Sequence, residues 1–365
     1  MRANYSVFRG AMLGVAVGDA MGSAIDRASM AEIRQDYGPY GLLGYDLVNG
    51  YAEVTSHTQL MAFCANGLLL GLTRGPMQGK EAPLVRYIGV ALKEWSRSQQ
   101  FSEPAKNHCW LSTVPELKRR RCMDTRILDA LSRPLGTPEQ PQYRSDQPTS
   151  LTEVVPIVLM AANFPVTRDA VVMMATQTIA LTHGHPEAFL TGGVLAGVLY
   201  ELLFRPEISV EEAFGTAMDA VQRLYGQQFP QMTHLWEMLQ FARTMVLSPQ
   251  YDSVQAMEML RCRTATEVLM GAYYACATCG EDFDGALIAA VNHSGRSSAV
   301  GAITGGILGM KLGQEALPEF YLECLEAAHR LGELANDLYQ SRPVDMDSIL
   351  FDDEWDRKYL HGGVY

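Results

Sequence analysis

The chain has 365 residues, of which 48% are hydrophobic and 19% are charged, and its formal net charge at pH 7 is −12. This length and composition suffice for one large buried core or for two ordinary ones. The negative charge argues against sequence-independent binding to nucleic acid or to an anionic membrane, and we expect a cytoplasmic protein.

Cysteine usage is consistent with that compartment. The seven cysteines stand at positions 64, 109, 122, 262, 276, 279 and 324. An odd, scattered set in a chain of this length does not suggest a disulfide framework, and reduced thiols fit it better. Cys276 and Cys279 form a lone CxxC without a second pair or a nearby histidine, so we favour buried helix thiols over a zinc or redox pair.

In chain order, the first predicted element is the apolar segment at residues 10–22, where glycine recurs at every fourth position. The same spacing returns at residues 301–313. An interior helix glycine costs ~1 kcal/mol relative to alanine, so eight of them imply a compensating gain. Close approach of helices along a glycine face supplies that gain. We therefore predict that both segments are helices in the centre of a bundle.

Helical periodicity continues along the rest of the chain, because apolar residues recur at three- and four-residue steps. Alternating, strand-like runs are nearly absent, and no apolar run reaches the ~20 residues that cross a bilayer. We predict an all-α protein with one domain over residues 1–341, in which the loop 134–150 is a surface excursion rather than a boundary. The further predicted helices are 67–72, 83–95, 154–162, 170–180, 188–203, 210–225, 233–246, 267–278, 284–291, 299–312 and 318–338.

The C-terminal residues 342–365 differ in composition, because six acidic residues are interleaved with aromatic ones. We predict an extended acidic and aromatic tail that packs on the body or on a partner. Disorder is the alternative.

Four segments resemble, in order, the ADP-ribosylglycohydrolases, a family that includes the dinitrogenase reductase-activating enzymes. Residues 9–22, RGAMLGVAVGDAMG, resemble the family's N-terminal signature. Residues 55–60, TSHTQL, stand where the family has TDDTQM, and residues 181–186, LTHGHP, resemble its central Thr-His loop. Residues 282–313 resemble its closing segment, in which an Asn-x-Gly-Gly-Asp-x-Asp-Thr loop precedes a glycine-rich helix.

The resemblance spans roughly residues 6–335 and implies a compact, orthogonal all-α bundle with a cleft that holds two Mg²⁺ ions. Family members cleave the bond between ADP-ribose and a protein side chain or a related acceptor. Clustered aspartates provide the oxygen ligands that Mg²⁺ requires. The ions activate water and polarise the ribosyl centre.

This chain lacks the four aspartates of the family's two metal loops. The resemblance aligns the four aspartates with Ser56, His57, Arg296 and Ser298. In the same loops Thr55 is retained, and Ala299 replaces a hydroxyl ligand. Hydroxyls, an imidazole and a guanidinium cannot hold two Mg²⁺ ions against water. Arg296 would also repel a dication. We therefore expect no metal and no other cofactor.

The family's nucleotide loop, Gly-Asn-Gly-Ser-x-Met-Arg-x-x-Pro, is altered as well. The aligned stretch 147–156 reads QPTSLTEVVP. Pro148 replaces the asparagine and removes a backbone donor. Glu153 replaces the arginine, and we expect its negative charge where the diphosphate would approach.

Two aspartates remain near the first segment. Asp19 corresponds to a family residue that is mainly architectural. Asp26 stands where the family usually has a glutamate near the scissile bond, so it is the surviving candidate for an acid or base. The alternative, which we favour, is that Asp26 caps or solvates the end of its helix.

Histidines provide a further candidate site. His183 and His185 lie in the Thr-His loop, which the resemblance places beside the ADP-ribose cleft, although a structural role is the more common one for such residues. Together with His57 and His293 they could form a transition-metal site such as zinc, against which Arg296 argues.

Arg296 itself has two interpretations. It could be a fixed cation that occupies the position vacated by metal, where it neutralises remaining carboxylates or grips an anionic ligand. The simpler interpretation, which we prefer, is a space-filling salt bridge to Asp26 or Asp19.

These residues favour a catalytically inactive family member, a pseudoenzyme whose cleft binds ADP-ribose, an ADP-ribosylated protein or another protein. The alternative is an active hydrolase with a rearranged site built on Asp26, His57 or His183. A purely structural protein is the third hypothesis. The oligomeric state does not follow from the residues.

Overall fold

The computed structural model describes residues 4–77, 83–100, 108–122, 124–341 and 353–361. Within these ranges the chain forms eighteen α-helices and no strand, and the all-α prediction is confirmed. The helices are α1 Tyr5–Ser23, α2 Met30–Tyr37, α3 Ser56–Met77, α4 Leu84–Gln100, α5 Pro115–Lys118, α6 Thr125–Ser132, α7 Val154–Met160, α8 Arg168–Ala180, α9 Pro186–Phe204, α10 Val210–Tyr225, α11 Met232–Val246, α12 Ser253–Leu260, α13 Ala265–Cys279, α14 Phe283–Val291, α15 Ser297–Leu312, α16 Glu319–Cys324, α17 Ala328–Gln340 and α18 Asp353–Tyr359.

The central contact of the fold joins α1 to α15, which run antiparallel with their glycine faces together. A Cβ on any of these glycines would overlap the backbone of the facing helix. The backbones therefore touch directly, at the distances where Cα–H groups contact carbonyl oxygens. The facing pairs are Gly10 with Gly309, Gly14 with Gly305, Gly18 with Gly301 and Gly22 with Ser297. This confirms the predicted glycine contact.

One continuous hydrophobic cluster runs through the described helices. Helix α9 is the only helix in the described part of the chain that is long and apolar enough to span a membrane. In this fold 83% of its apolar window is buried among other helices. Its composition is accounted for by that position in the core.

Residues 318–338, predicted as one helix, form two helices instead. The chain breaks after α16 because Ala52 bonds to both sides of Leu325: its N–H donates to the Cys324 carbonyl at 2.8 Å and its carbonyl accepts from the Glu326 N–H at 3.0 Å. Ala327 then takes a left-handed φ of 62° before α17 begins. Apolar spacing continues across the break, which is why the pattern did not reveal it.

The prediction of an extended tail is wrong for residues 353–361, which contain the helix α18 packed on the body. Lys358 and Tyr359 are buried, and the Tyr359 hydroxyl donates to Asp337 Oδ2 at 2.6 Å. Arg74 on α3 donates to the carbonyls of Tyr359 and Leu360. The remaining tail residues, 342–352 and 362–365, lie outside the described ranges.

Candidate functional site

A cleft of about 310 Å³ opens between the turn after α1 and the N-termini of α3 and α15. The fold thus brings together the two loops that the sequence singled out. The lining residues are Ser23, Asp26, Arg27, Thr55, Ser56, His57, Arg121, Asp124, Thr149, Arg296 and Ser298. Ala299 is buried behind this surface.

Asp19 is fully buried and holds the N-terminus of α3 in place. Its carboxylate accepts four hydrogen bonds, from the Thr55 N–H at 2.8 Å and hydroxyl at 2.6 Å and from the Thr58 N–H at 3.2 Å and hydroxyl at 2.6 Å. A carboxylate at this position also interacts favourably with the helix dipole. Asp19 is therefore committed to architecture and does not line the cleft.

Asp26 accepts a hydrogen bond at the N-terminus of α15, as Asp19 does at the N-terminus of α3. It lies beyond the end of its own helix, and its Oδ1 accepts the Ser298 N–H at 3.2 Å in the first turn of α15, where no other side chain caps the helix. Its Oδ2 lies 3.4 Å from Arg27 Nε. Burial raises the pKa of Asp26, while His57, the Ser298 N–H and Arg296 oppose the rise. The favoured capping role is thus seen at a different helix from the one expected.

His57 places a nearly buried imidazole in the cleft wall, beside the Thr149 carbonyl. Its Nδ1 atom has no hydrogen-bond partner among the described residues. Burial lowers the pKa of His57, and the neighbouring Asp19 and Asp26 oppose that shift. A neutral imidazole at pH 7 follows, and its unpartnered Nδ1 is buried in the wall rather than exposed to the cleft.

Arg296 does not form the expected salt bridge to Asp26 or Asp19. Its Nη2 donates instead to the Gln147 side-chain carbonyl. In the described ranges no carboxylate lies within 4 Å of its guanidinium, although Asp26 is close enough to interact electrostatically. The preferred interpretation of a space-filling ion pair is therefore wrong, because Asp26 is held by Ser298 and Arg27, and Asp19 by α3.

Residues 2–347 match the sequence model of the ADP-ribosylglycohydrolase family. The chain belongs to the ADP-ribosylglycohydrolase family. A protein of Archaeoglobus fulgidus, itself uncharacterised, is 28% identical over 342 residues, which cover 91% of this chain and 96% of that protein. A solved ADP-ribosylglycohydrolase-related protein complex has a similar fold, with a TM-score of 0.56, 22% identity, and coverage of 93% of this chain and 99% of that chain.

The four histidines do not gather in the cleft of this ADP-ribosylglycohydrolase-family chain. His183 is buried beside Thr182, and burial lowers its pKa to about 4. His185 caps α9 by accepting the Glu187 N–H at 3.3 Å. Of the four, only His57 lines the cleft, and the described ranges contain no group of three His, Cys, Asp or Glu side chains placed to hold a metal.

The side chain of His293 forms a hydrogen bond within its own loop. Its Nδ1 accepts the Gly295 N–H at 2.9 Å, and burial lowers its pKa to about 4. It is buried and is not among the residues that line the cleft, so the four histidines do not form one zinc site.

The family's pair of Mg²⁺ ions does not fit the donors present. All of the hydrogen-bonding directions of Asp19 point to α3, and Asp26 is shared between Ser298 and Arg27. Asp124 caps α6 and pairs with Arg126 at 3.0 Å. A hard dication needs several oxygens that are not already hydrogen-bonded or ion-paired. In addition, the guanidinium of Arg296 stands in one of the two loops, where it would repel a dication.

Sequence reasoning missed Arg27, Arg121 and Asp124. Arg27 follows Asp26 directly, and Arg121 ends a basic run at residues 118–121 in an otherwise acidic chain. These two positions were therefore weak indications that the residues belong to the site. Arg121 is held by Glu53 at 2.6 Å and Glu326 at 3.2 Å. Asp124 belongs to no motif, and only the fold brings it to the cleft.

Glu153 corrects another expectation, because it does not put negative charge in the cleft. Its side chain is completely buried, and neither carboxyl oxygen has a partner among the described residues. Burial raises the pKa of Glu153 well above its usual range. The carboxyl group is therefore neutral in the core, since an isolated charge there would be far more costly.

Replacing Glu153 with glutamine is expected to flatten the pH dependence of stability. The folded-state pKa is raised above the unfolded value of 4.5. Stability linked to this proton is therefore fully present below the unfolded pKa and is lost as pH rises through the folded pKa. Urea unfolding between about pH 5 and about pH 8 should thus show a smaller loss of unfolding free energy in Glu153→Gln than in wild type.

The matched control is Glu32→Gln, which removes an exposed carboxylate whose pKa Ser29 lowers. Glu32 is ionised throughout that pH interval in both states, so the wild-type slope should persist. A wild-type slope in Glu153→Gln as well would show that Glu153 does not titrate as a buried neutral acid.

Proposed function

We propose that this chain is a non-catalytic member of its family, which binds ADP-ribose or an ADP-ribosylated protein in the cleft without Mg²⁺. The observation that carries the proposal is the position of Arg296: a guanidinium hydrogen-bonded to Gln147 stands in the closing metal loop. Removal of Mg²⁺ deprives the family's reaction of the groups that activate water and stabilise charge.

The electrostatics of the cleft support an anionic ligand. The N-termini of α3 and α15 both reach it, but the carboxylates of Asp19 and Asp26 already offset their partial positive charges, so the attraction for an anion comes from the arginines. Arg27 and Arg296 add full charges, and arginine forms paired hydrogen bonds with phosphate oxygens. A cleft that once attracted cations through aspartates would in this chain attract the phosphates of a nucleotide.

The purified protein is expected to give no saturable heat with Mg²⁺ in isothermal titration calorimetry. It should bind ADP-ribose equally with and without Mg²⁺, and it should release no free ADP-ribose from an ADP-ribosylated protein. The variant Arg296→Asp, which returns one carboxylate to the loop, should gain Mg²⁺ affinity and lose ADP-ribose affinity. Turnover that EDTA abolishes in the wild-type protein would refute the proposal.

One observation favours a second candidate, a hydrolase with a rearranged, metal-independent site. Asp26 has a raised pKa and lies near the neutral His57, so the pair offers a proton donor and a proton acceptor in one cleft. In that case the wild-type protein would release ADP-ribose in EDTA, and Asp26→Asn would abolish release. Absence of release by the wild type excludes this candidate.

A further inference from the structure

A second pocket, of about 410 Å³, adjoins the cleft and shares Arg27 and Arg296 with it. Three of its lining side chains are guanidinium groups, and none is a carboxylate. The lining residues are Arg27, Gln147, Arg263, Ser294, Gly295 and Arg296. We call this set the arginine pocket.

The loops around the arginine pocket are tied to one another by backbone hydrogen bonds. The Arg27 N–H donates to the Gly295 carbonyl at 2.9 Å, and the Arg296 N–H donates to the Cys262 carbonyl at 2.8 Å. Gly295 fits so closely that an added Cβ would lie 2.6 Å from the Arg261 and Cys262 carbonyl oxygens. The arginine side chains therefore project from a constrained frame.

Backbone strain is concentrated in the same frame. Arg27, Arg261 and Cys262 have left-handed φ values of 66°, 65° and 50°. Such conformations are unfavourable for residues other than glycine, and they persist where the surrounding structure imposes them. Here they direct the chain so that Arg27 and Arg263 reach the same pocket.

Charge in the arginine pocket is incompletely compensated. Asp26 lies 3.4 Å from Arg27, whereas within the described ranges no carboxylate is within 4 Å of the guanidinium of Arg263 or Arg296. Arg27 is close enough to destabilise the charge on Arg296. Like charges held together gain from an anion between them, and guanidinium forks match the oxygens of phosphate.

We propose that the arginine pocket binds the phosphate groups of the ligand, a diphosphate or a phosphate ester, while the rest of the ligand extends into the cleft. This inference deepens the proposed function and rests on it for the identity of the cleft. The carboxyl of Asp26 lines the adjoining cleft, where it can hydrogen-bond to ligand hydroxyls.

The test is calorimetric titration of the full chain with inorganic pyrophosphate, ADP and ADP-ribose, with ribose as the uncharged probe. Arg263→Gln should weaken binding of the phosphorylated probes by about tenfold or more, as expected for loss of a charge-assisted hydrogen bond. Arg261→Gln is the matched control: it removes the same charge two residues away, from a side chain that does not line the pocket. That variant should bind within about twofold of wild type, because the exposed Arg261 guanidinium is already paired with Glu267 at 3.6 Å and exposed charges are screened.

The outcomes separate the possible ligands. If Arg263→Gln loses binding of pyrophosphate as well, the pocket recognises phosphate groups by themselves. If it loses binding of ADP and ADP-ribose but not of pyrophosphate, the pocket recognises a nucleotide. Equal binding by Arg263→Gln and wild type, or equal weakening by both variants, overturns the proposal, provided that circular dichroism and thermal melting show both variants folded. Release of ADP-ribose from an ADP-ribosylated protein is measured separately. If the protein proves to be catalytic, the effect of Arg263→Gln on phosphate binding can therefore still be judged.

Discussion

Replacing Gly305 with alanine is expected to lower the free energy of unfolding by about 3 kcal/mol or more, the upper range for overpacking a well-packed core. The new Cβ would lie 2.7 Å from the carbonyl carbon of Gly14 and still closer to its oxygen. Both contacts are backbone, so no side chain can rotate away, and α1 and α15 must separate. Urea or thermal unfolding monitored by circular dichroism measures the loss.

Separation of α1 from α15 would also disturb the cleft, because the hydrogen bond from Ser298 to Asp26 spans the same two helices at their ends. Gly215→Ala is the matched control. Gly215 lies inside α10, where an added Cβ would meet only Arg243 Nη2 at an ordinary 3.5 Å. This variant should be about 0.5–1 kcal/mol more stable than wild type, because alanine is the better helix former. If Gly305→Ala were also stabilising, the direct backbone contact would be disproved.

Replacing Lys358 with alanine is expected to cost about 3 kcal/mol of stability, since removal of one partner from a buried ion pair leaves the other charge uncompensated. The ammonium group lies 2.7 Å from Glu333 and 3.0 Å from Asp337, and its side chain is only 7% exposed. It also lies 5.2 Å from the centre of the Trp110 ring. Loss of the lysine therefore leaves the carboxylate of Asp337 without a cation, while Glu333 keeps Arg330 at 2.9 Å, and it removes a cation–π contact.

Arg357→Ala tests whether charge alone accounts for that loss. Arg357 is the exposed neighbour of Lys358 on the same helix, and its removal should change stability by less than about 0.5 kcal/mol, as is usual at the surface. Equal effects of the two substitutions on the melting temperature would contradict a buried anchor. A selective effect of Lys358→Ala would show that α18 is an integral part of the fold.

Asp19 and Asp26 help to fix the shape of the cleft through hydrogen bonds within the protein. Asp19 and Asp26 both belong to α1 or to the turn that follows it, and they cap the N-termini of α3 and α15 respectively. Each cap satisfies a backbone N–H that lacks a partner within its helix. Protein carboxylates thus hold the two loops together, and their hydrogen bonds leave few oxygens free for a dication.

Local sequence pattern determined the helical class, most of the longer helices and the close packing of the two glycine segments. Of α3 it predicted only residues 67–72, and it did not show that the two glycine segments pack on each other. Periodicity reports on a helix face, and the cost of interior glycine requires a close neighbour, so both inferences needed only nearby residues. The prediction that Ser56, His57, Arg296 and Ser298 replace the family's aspartates likewise needed only the residues. The short helices α2, α5, α6 and α12, of four to eight residues, were missed because so few turns carry little periodic signal.

Only the tertiary structure decided where charged side chains lie. Glu153 is in the core rather than the cleft, Asp26 caps a helix that begins far along the chain, and Arg27 and Arg263 meet in one pocket. Each of these placements depends on which loops come together, and the local pattern of apolar residues contains no information about that. Desolvation and electrostatic contacts act across space, so the chemistry of the site follows from the packing of distant segments.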